Sequence, residues 1–246
     1  MAILHTYYRP ASIDEAVSLW SRLGASGALL AGGTRLVGEL EMRARRGVDA
    51  VIDLAELALN RIDVQGDILR IGATATLAEL AEHPVARTLA QGLLPKAVRG
   101  EGPVNLRNRA TVGGLVAAAE ADSEVYAALL ALEAHITLVD PAGARHVALE
   151  ALERIDGIIT DITLPLRELR GAIARIARTP GDRPIVAAVA IAGRGVERVA
   201  LCGVTARPVL QGVELDPPDD FKGSASYRRA MAPIVIERAR TILQGV

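Results

Sequence analysis

The chain has a single cysteine in 246 residues. Cys202 cannot build an intrachain disulfide framework. Nor can this chain hold a Cys-ligated iron–sulfur cluster by itself, because such a cluster needs several thiolates. Its apolar surroundings, Val199-Ala200-Leu201-Cys202-Gly203-Val204, mark it as a buried small hydrophobe. Aromatics are nearly as scarce, six in all, which leaves no stacking platform for single-stranded nucleic acid. Neither sign of charge dominates: the formal net charge is −1, too little to recruit nucleic acid or an anionic membrane. Lysine occurs only at Lys96 and Lys222, so nearly all basic residues are arginine. No apolar run approaches the length of a membrane span. The first ten residues lack a basic stretch followed by an apolar core, so no signal peptide is expected and the expected location is the cytoplasm. The histidines His5, His83, His135 and His146 show no metal-ligand spacing. The fingerprints G-x-G-x-x-G, G-x-x-x-x-G-K, G-x-S-x-G and H-E-x-x-H are all absent.

What is present is a globular composition, half hydrophobic and 23% charged, on a chain longer than the usual single domain. Two stretches stand out. One is Arg107-Asn108-Arg109-Ala110-Thr111-Val112-Gly113-Gly114, followed by small residues and then Asp122-Ser123-Glu124. The other is Leu29-Leu30-Ala31-Gly32-Gly33-Thr34-Arg35-Leu36. Paired glycines let a backbone bend and approach a ligand closely, and exposed N–H groups in such a bend form an anion-holding nest. Two such turns suit the two ends of a long phosphorylated ligand.

The pattern around them predicts an α+β fold: a small parallel βαβ unit, an antiparallel α+β unit, and a small C-terminal α+β domain. In the first unit (about 1–54), Ser12-Ile13-Asp14-Glu15 reads as a capping box ahead of a helix that stops at Gly24. A strand over 28–31, a helix reaching about residue 46 and a strand over 49–54 imply a parallel pair, with Gly32 and Gly33 at the carboxyl end of the strand, where ligands bind. The second unit (about 55–165) holds a hairpin over 61–71 and a capping box, Thr76-Leu77-Ala78-Glu79, before a helix stopped by Pro84. A helix over 125–132, a second hairpin over 134–149 and a strand over 158–164 complete it. The third unit (166–246) has strands over 185–192 and 198–204 and a closing helix over 227–243. In residues 166–178, Ile173 and Ile176 suit a helix. Arg228, Arg229, Arg238 and Arg240 read as a solvated face of the closing helix.

Five motifs, in order, take the reading further: Ala31-Gly32-Gly33-Thr34-Arg35-Leu36; Arg107 to Gly114; the ungapped run Ala119 to Leu132; Ile158-Ile159-Thr160-Asp161-Ile162-Thr163-Leu164-Pro165; and Asp220-Phe221-Lys222-Gly223-Ser224-Ala225-Ser226-Tyr227-Arg228-Arg229. With these the chain resembles the flavoprotein (medium) subunit of the molybdenum hydroxylases, a group that includes carbon monoxide dehydrogenase medium subunits and the FAD domain of xanthine dehydrogenase. The resemblance implies an FAD-binding domain over 1–165 and a C-terminal domain over 166–246, and it suggests a strand where residues 166–178 otherwise suit a helix. It implies that Ala31 lies at the cofactor site and that Gly32, Gly33, Thr34, Arg35, Leu36 and Thr111, Val112, Gly113, Gly114, Leu115 supply N–H and hydroxyl donors to the FAD pyrophosphate. It further implies that Glu124 bonds a ribose or ribityl hydroxyl and that Ile159 and Ile185 line the flavin ring. The chain would be an oxidoreductase subunit working with iron–sulfur (small) and molybdopterin (large) partners and passing electrons to an acceptor such as NAD or oxygen.

The chain departs from the family pattern at three places. Leu115 replaces an Asn, Glu124 replaces an Asp, and the connection before the Ile158 strand is shortened to Ala151–Gly157, with Gly157 where Glu is usual. Two other readings stay open. One is a stand-alone flavoprotein reductase of the same fold, and the other is a flavin-free scaffold subunit.

Overall fold

The computed structural model describes residues 4–193 and 195–245. The first unit is a three-stranded parallel sheet of β1 (Thr6–Tyr8), β2 (Gly27–Leu30) and β3 (Ala50–Asp53), in the order β1-β3-β2. Helix α1 (Ile13–Leu23) packs Ala16, Val17 and Leu19 together with Ile52 and Leu54. Ser12 Oγ accepts the Glu15 N–H at 3.2 Å, but the Glu15 carboxylate takes the N–H of Ala11 (2.9 Å), so the box closes one residue early. Gly24, at φ +53°, ends the helix as expected. Helix α2 (Leu36–Glu41) is much shorter than its sequence suggests. Arg43 turns left-handed (φ +56°) and the Ala44 N–H returns to the Glu39 carbonyl at 2.8 Å, which closes the helix and leaves Arg45 and Arg46 on an exposed loop.

The second unit is a five-stranded antiparallel sheet with helices across it. Its strands are β4 (Ile62–Gln65), β5 (Ile68–Gly72), β6 (His135–Asp140), β7 (Gly143–Ala148) and β8 (Ile158–Pro165), ordered β4-β5-β8-β6-β7. Helices α3 (Leu77–Glu82), α4 (Pro84–Thr88), α5 (Leu93–Gly100), α6 (Val104–Arg107), α7 (Val112–Ala118) and α8 (Glu124–Ala131) lie between β5 and β6 in sequence. The Thr76 capping box is fully reciprocal: Thr76 Oγ1 accepts the Glu79 N–H at 3.1 Å, and the Glu79 carboxylate accepts the Thr76 N–H at 2.8 Å. Pro84 does more than stop α3. It forces His83 into an extended conformation (ψ 128°) and then starts α4, where its missing N–H is harmless.

The third unit is an antiparallel sheet of β9 (Arg170–Ile176), β10 (Val186–Gly193), β11 (Val196–Cys202) and β12 (Val209–Leu210), ordered β12-β11-β10-β9. The segment that fitted either structure is thus a strand. Alternation along β10 explains its unbroken apolar sequence. Ala187, Val189 and Ile191 join the core around α8, while Val186, Ala188 and Ala190 face the closing helix α9 (Ala225–Gln244). A sheet covered on both faces needs hydrophobes at every position. All eight residues of α8 are buried, which accounts for its Ala- and Leu-rich sequence. Cys202 is fully buried in the same core.

One expectation for α9 fails. Arg228 does not face solvent; it is 1% exposed. Its Nη1 donates to the carbonyls of Ile185 (2.5 Å) and Gly203 (3.1 Å), and its Nη2 to Asp220 Oδ1 (2.7 Å). A buried guanidinium is stable only with such a full set of acceptors. Among the described residues no helix is long and apolar enough to cross a membrane.

Candidate functional site

A cleft of about 520 Å³ opens between the first and second units. Ala31, Gly32, Gly33, Thr34, Arg35 and Leu36 line one wall, and Thr111, Gly113, Gly114 and Leu115 line the other, with Ile159 also at the surface of the cavity. The cleft thus brings together eleven of the residues expected at the site. Val112, Glu124 and Ile185 are not among its lining residues. Val112 is buried beneath the second wall, and Ile185 belongs to the core under α9.

The two glycine pairs do different work. Gly32 is needed for a close crossing: a Cβ there would run into the carbonyl oxygen of Arg109, on the opposite wall. Gly33 is left-handed at φ +74°, a conformation that suits glycine. After this bend the N–H groups of Gly32, Gly33, Thr34, Arg35 and Leu36 have no acceptor among the described residues, so five consecutive donors border the cleft. Gly113 and Gly114 form no such turn. They lie in the first turn of α7, capped by Thr111, and Gly113 is small because a Cβ would press on Ala73. Their donors are already engaged: Val112 N–H to Ala75 O (2.9 Å), Gly113 N–H to Ala73 O (2.9 Å), Gly114 N–H to Thr111 Oγ1 (3.1 Å) and Leu115 N–H to Thr111 O (2.9 Å). The structure therefore corrects the expectation of two equal anion-holding turns. The second wall offers the Thr111 hydroxyl, whose own proton is free to donate, and apolar surface from Leu115.

Sequence reasoning missed a cluster of charges at one end of the cleft. Arg183, on the segment leading into β10, donates to the carboxylates of Glu101, Glu120 and Asp122. Glu101 closes α5 and takes the Ser123 hydroxyl at 2.6 Å and the Val125 N–H at 2.9 Å, so it also caps α8. Lys222 adds a further bond to Asp122. Burial pushes the Glu101 carboxyl above the ordinary range, against the pull of Arg183. Burial also works against the charge on Arg183, but Glu101, Glu120 and Asp122 outweigh it and hold the guanidinium proton more tightly than usual. No local pattern announces this cluster, because its members come from separate segments.

Glu124 sits behind the cleft. It is 2% exposed, packs against Gly100 and forms an ion pair with Arg175 at 3.5 Å. Burial raises its pKa from 4.5 to about 7; Arg175 opposes the shift and Glu101 adds to it. The folded state thus holds this proton more tightly than the unfolded chain. The associated destabilisation is absent below pH 4.5, grows as pH rises, and is complete above about 7. Relative to Glu124→Gln, the parent should lose on the order of 3 kcal/mol of stability between pH 4.5 and 7.5. Urea unfolding of both proteins across that range checks this, and parallel curves would refute it.

The shortened connection also reaches the cleft, through Ile155 and Gly157. A Cβ at Gly157 would lie 3.0 Å from the Val139 carbonyl and 3.3 Å from Leu138 Cβ, so a larger residue there needs the β6 backbone to move. The cleft's row of free N–H donors, its hydroxyl and its apolar walls suit a long ligand with an anionic middle and a flat apolar end, and FAD has that make-up.

Comparison with known proteins agrees. Residues 3–167 match the family described as FAD binding domain in molybdopterin dehydrogenase. The chain is 29% identical to the nicotine 6-hydroxylase medium subunit of Paenarthrobacter nicotinovorans, over 94% of each protein. It is 26% identical to the carbon monoxide dehydrogenase medium chain of Hydrogenophaga pseudoflava, over 95% of this chain and 94% of the relative. A chain of the reconstituted CO dehydrogenase of Oligotropha carboxidovorans shares the fold, with a TM-score of 0.91 at 23% identity over 100% of this chain and 99% of its own length. These relatives are subunits of oxidoreductases. The chain therefore belongs to the family of FAD binding domains in molybdopterin dehydrogenases, and FAD is its cofactor.

Proposed function

We propose that this chain is the FAD-binding electron-transfer subunit of a molybdenum hydroxylase, placed between a partner iron–sulfur subunit and an acceptor such as NAD or oxygen. In this reading residues 1–165 form the FAD-binding domain and 166–246 a C-terminal domain, and the complex works in the cytoplasm with a molybdopterin subunit as its third component. The observation that carries the reading is the row of five free main-chain donors, 32–36, along a cleft in a chain of this family. Bound FAD supplies the redox chemistry, and the protein supplies position and electrostatics. Gly32 to Leu36 hold the diphosphate, Thr111 donates its hydroxyl, and Leu115 and Ile159 cover apolar surface. Val112 and Glu124 support the second wall from behind, and Ile185 belongs to the core under α9. The lone cysteine means that electrons must arrive from clusters on another chain.

The test is purification of the chain alone, its visible spectrum, and identification of any cofactor released on denaturation. The expected result is a flavin spectrum and FAD. A colourless chain that takes up no added FAD would overturn the reading and favour a scaffold role. Rapid NADH or NADPH oxidation by the isolated chain, with no partner present, would favour the stand-alone reductase.

A further inference from the structure

We infer that Arg45 and Arg107 are the countercharges of the FAD diphosphate and that they set the preference of the cleft for FAD over unphosphorylated riboflavin. The inference rests on the FAD-binding reading above. Four cationic side chains line the cleft: Arg35, Arg45, Arg107 and Arg183. Arg35 is tied to Glu39 (2.6 Å) and approaches Glu120 (3.8 Å), and Arg183 is held by Glu101, Glu120 and Asp122. Neither can meet a new anion without giving up a carboxylate. Arg45 and Arg107 have no ion pair and no side-chain hydrogen bond among the described residues. One stands on the loop after α2 and the other at the end of α6, so they come from the two walls that carry the glycine stretches.

The need for them follows from the donors. A diphosphate brings about two negative charges at neutral pH, and five neutral N–H groups on one wall do not cancel them. The adjoining helices are short, six and seven residues, so their dipoles add little. On the second wall the amide donors are engaged internally. Planar guanidinium groups bind phosphate oxygens in a bidentate fork, and these two are the unpaired ones at the cleft. Riboflavin carries the same ring and ribityl chain but no phosphate, so it gains nothing from either arginine.

The test uses the full chain stripped of flavin and titrates FAD and riboflavin, following flavin fluorescence, in the parent, Arg45→Gln, Arg107→Gln and the double variant. Each single variant is expected to weaken FAD about 10- to 100-fold, the usual yield of a charged hydrogen bond. Riboflavin affinity should stay at the parent value, and the salt dependence of FAD binding should flatten in the double variant. Arg45 is exposed and Arg107 half-buried, and neither has an ion pair to lose, so the thermal unfolding midpoint of the flavin-free chain should move little. A double variant that binds FAD like the parent overturns the assignment. So does an equal loss of FAD and riboflavin, which would mark a general role in cleft shape. A parent chain that binds no FAD overturns the flavoprotein reading itself, a separate outcome.

Discussion

Replacing Arg183 with methionine is expected to cost on the order of 3–5 kcal/mol of stability and to strip the flavin from the protein, because it leaves a buried carboxylate with no countercharge. Glu101 is the residue most affected, since its side chain is only 2% exposed and its Oε2 bonds Arg183. Glu120 and Asp122 lose the same partner and would repel each other and the incoming diphosphate. The segment 119–122 would then drift, with the N-terminus of α8 behind it. Urea unfolding gives the first effect, and the flavin-to-protein absorbance ratio after gel filtration gives the second. Adding Glu101→Gln to the variant should restore part of the stability, because it removes the stranded charge. A variant as stable and as yellow as the parent would show that the cluster is incidental.

The second large effect is expected at Arg228. Methionine there fills much of the volume but leaves the carbonyls of Ile185 and Gly203 without their donor. Each buried orphan costs about 1–3 kcal/mol, so a loss of roughly 2–5 kcal/mol is expected. The change also reaches the cleft. Ile185 lies two residues after Arg183, so Arg228 pins the strand entrance from which Arg183 extends. Gly203 in turn donates its N–H to Ala121 O at 2.6 Å, on the segment between Glu120 and Asp122. A weaker FAD affinity in Arg228→Met, at a temperature where the variant is still folded, would confirm this linkage. An unchanged affinity would confine Arg228 to stability.

Much of the fold was legible because local chemistry and tertiary structure agree. The Thr76–Glu79 box, the Gly24 stop, the two hairpins and the strand before Pro165 all follow from cap, turn and alternation rules acting within a few residues. The errors occurred where a distant partner decided the outcome. Gly113-Gly114 has the sequence of a turn, yet Ala73 accepts the Gly113 amide, Ala75 accepts that of Val112 before it, and Thr111 caps the segment, so it starts a helix. Arg228 sits in an Arg-rich helix that reads as solvated, and the carbonyls of Ile185, Gly203 and Gly223 with the Asp220 carboxylate make its burial tolerable. Arg45 falls within the helical pattern of the sequence, but the helix ends earlier, at Glu41. The family motifs located the cleft through its glycines. They could not show which arginines are unpaired, because that depends on counting every carboxylate nearby in space.

The five unengaged amides of the Gly32–Leu36 bend have a bearing on divergence. A main-chain donor is present whatever side chain follows it, so this contact survives substitution at most positions as long as the bend is kept. Two positions carry the constraint: Gly32, which must clear the Arg109 carbonyl, and Gly33, which must stay left-handed. Elsewhere the sequence is free to drift, as the 23% identity to a chain of the same fold illustrates. In directed evolution the practical expectation is a loop that accepts wide variation at Thr34 and Arg35 and almost none at the two glycines before them.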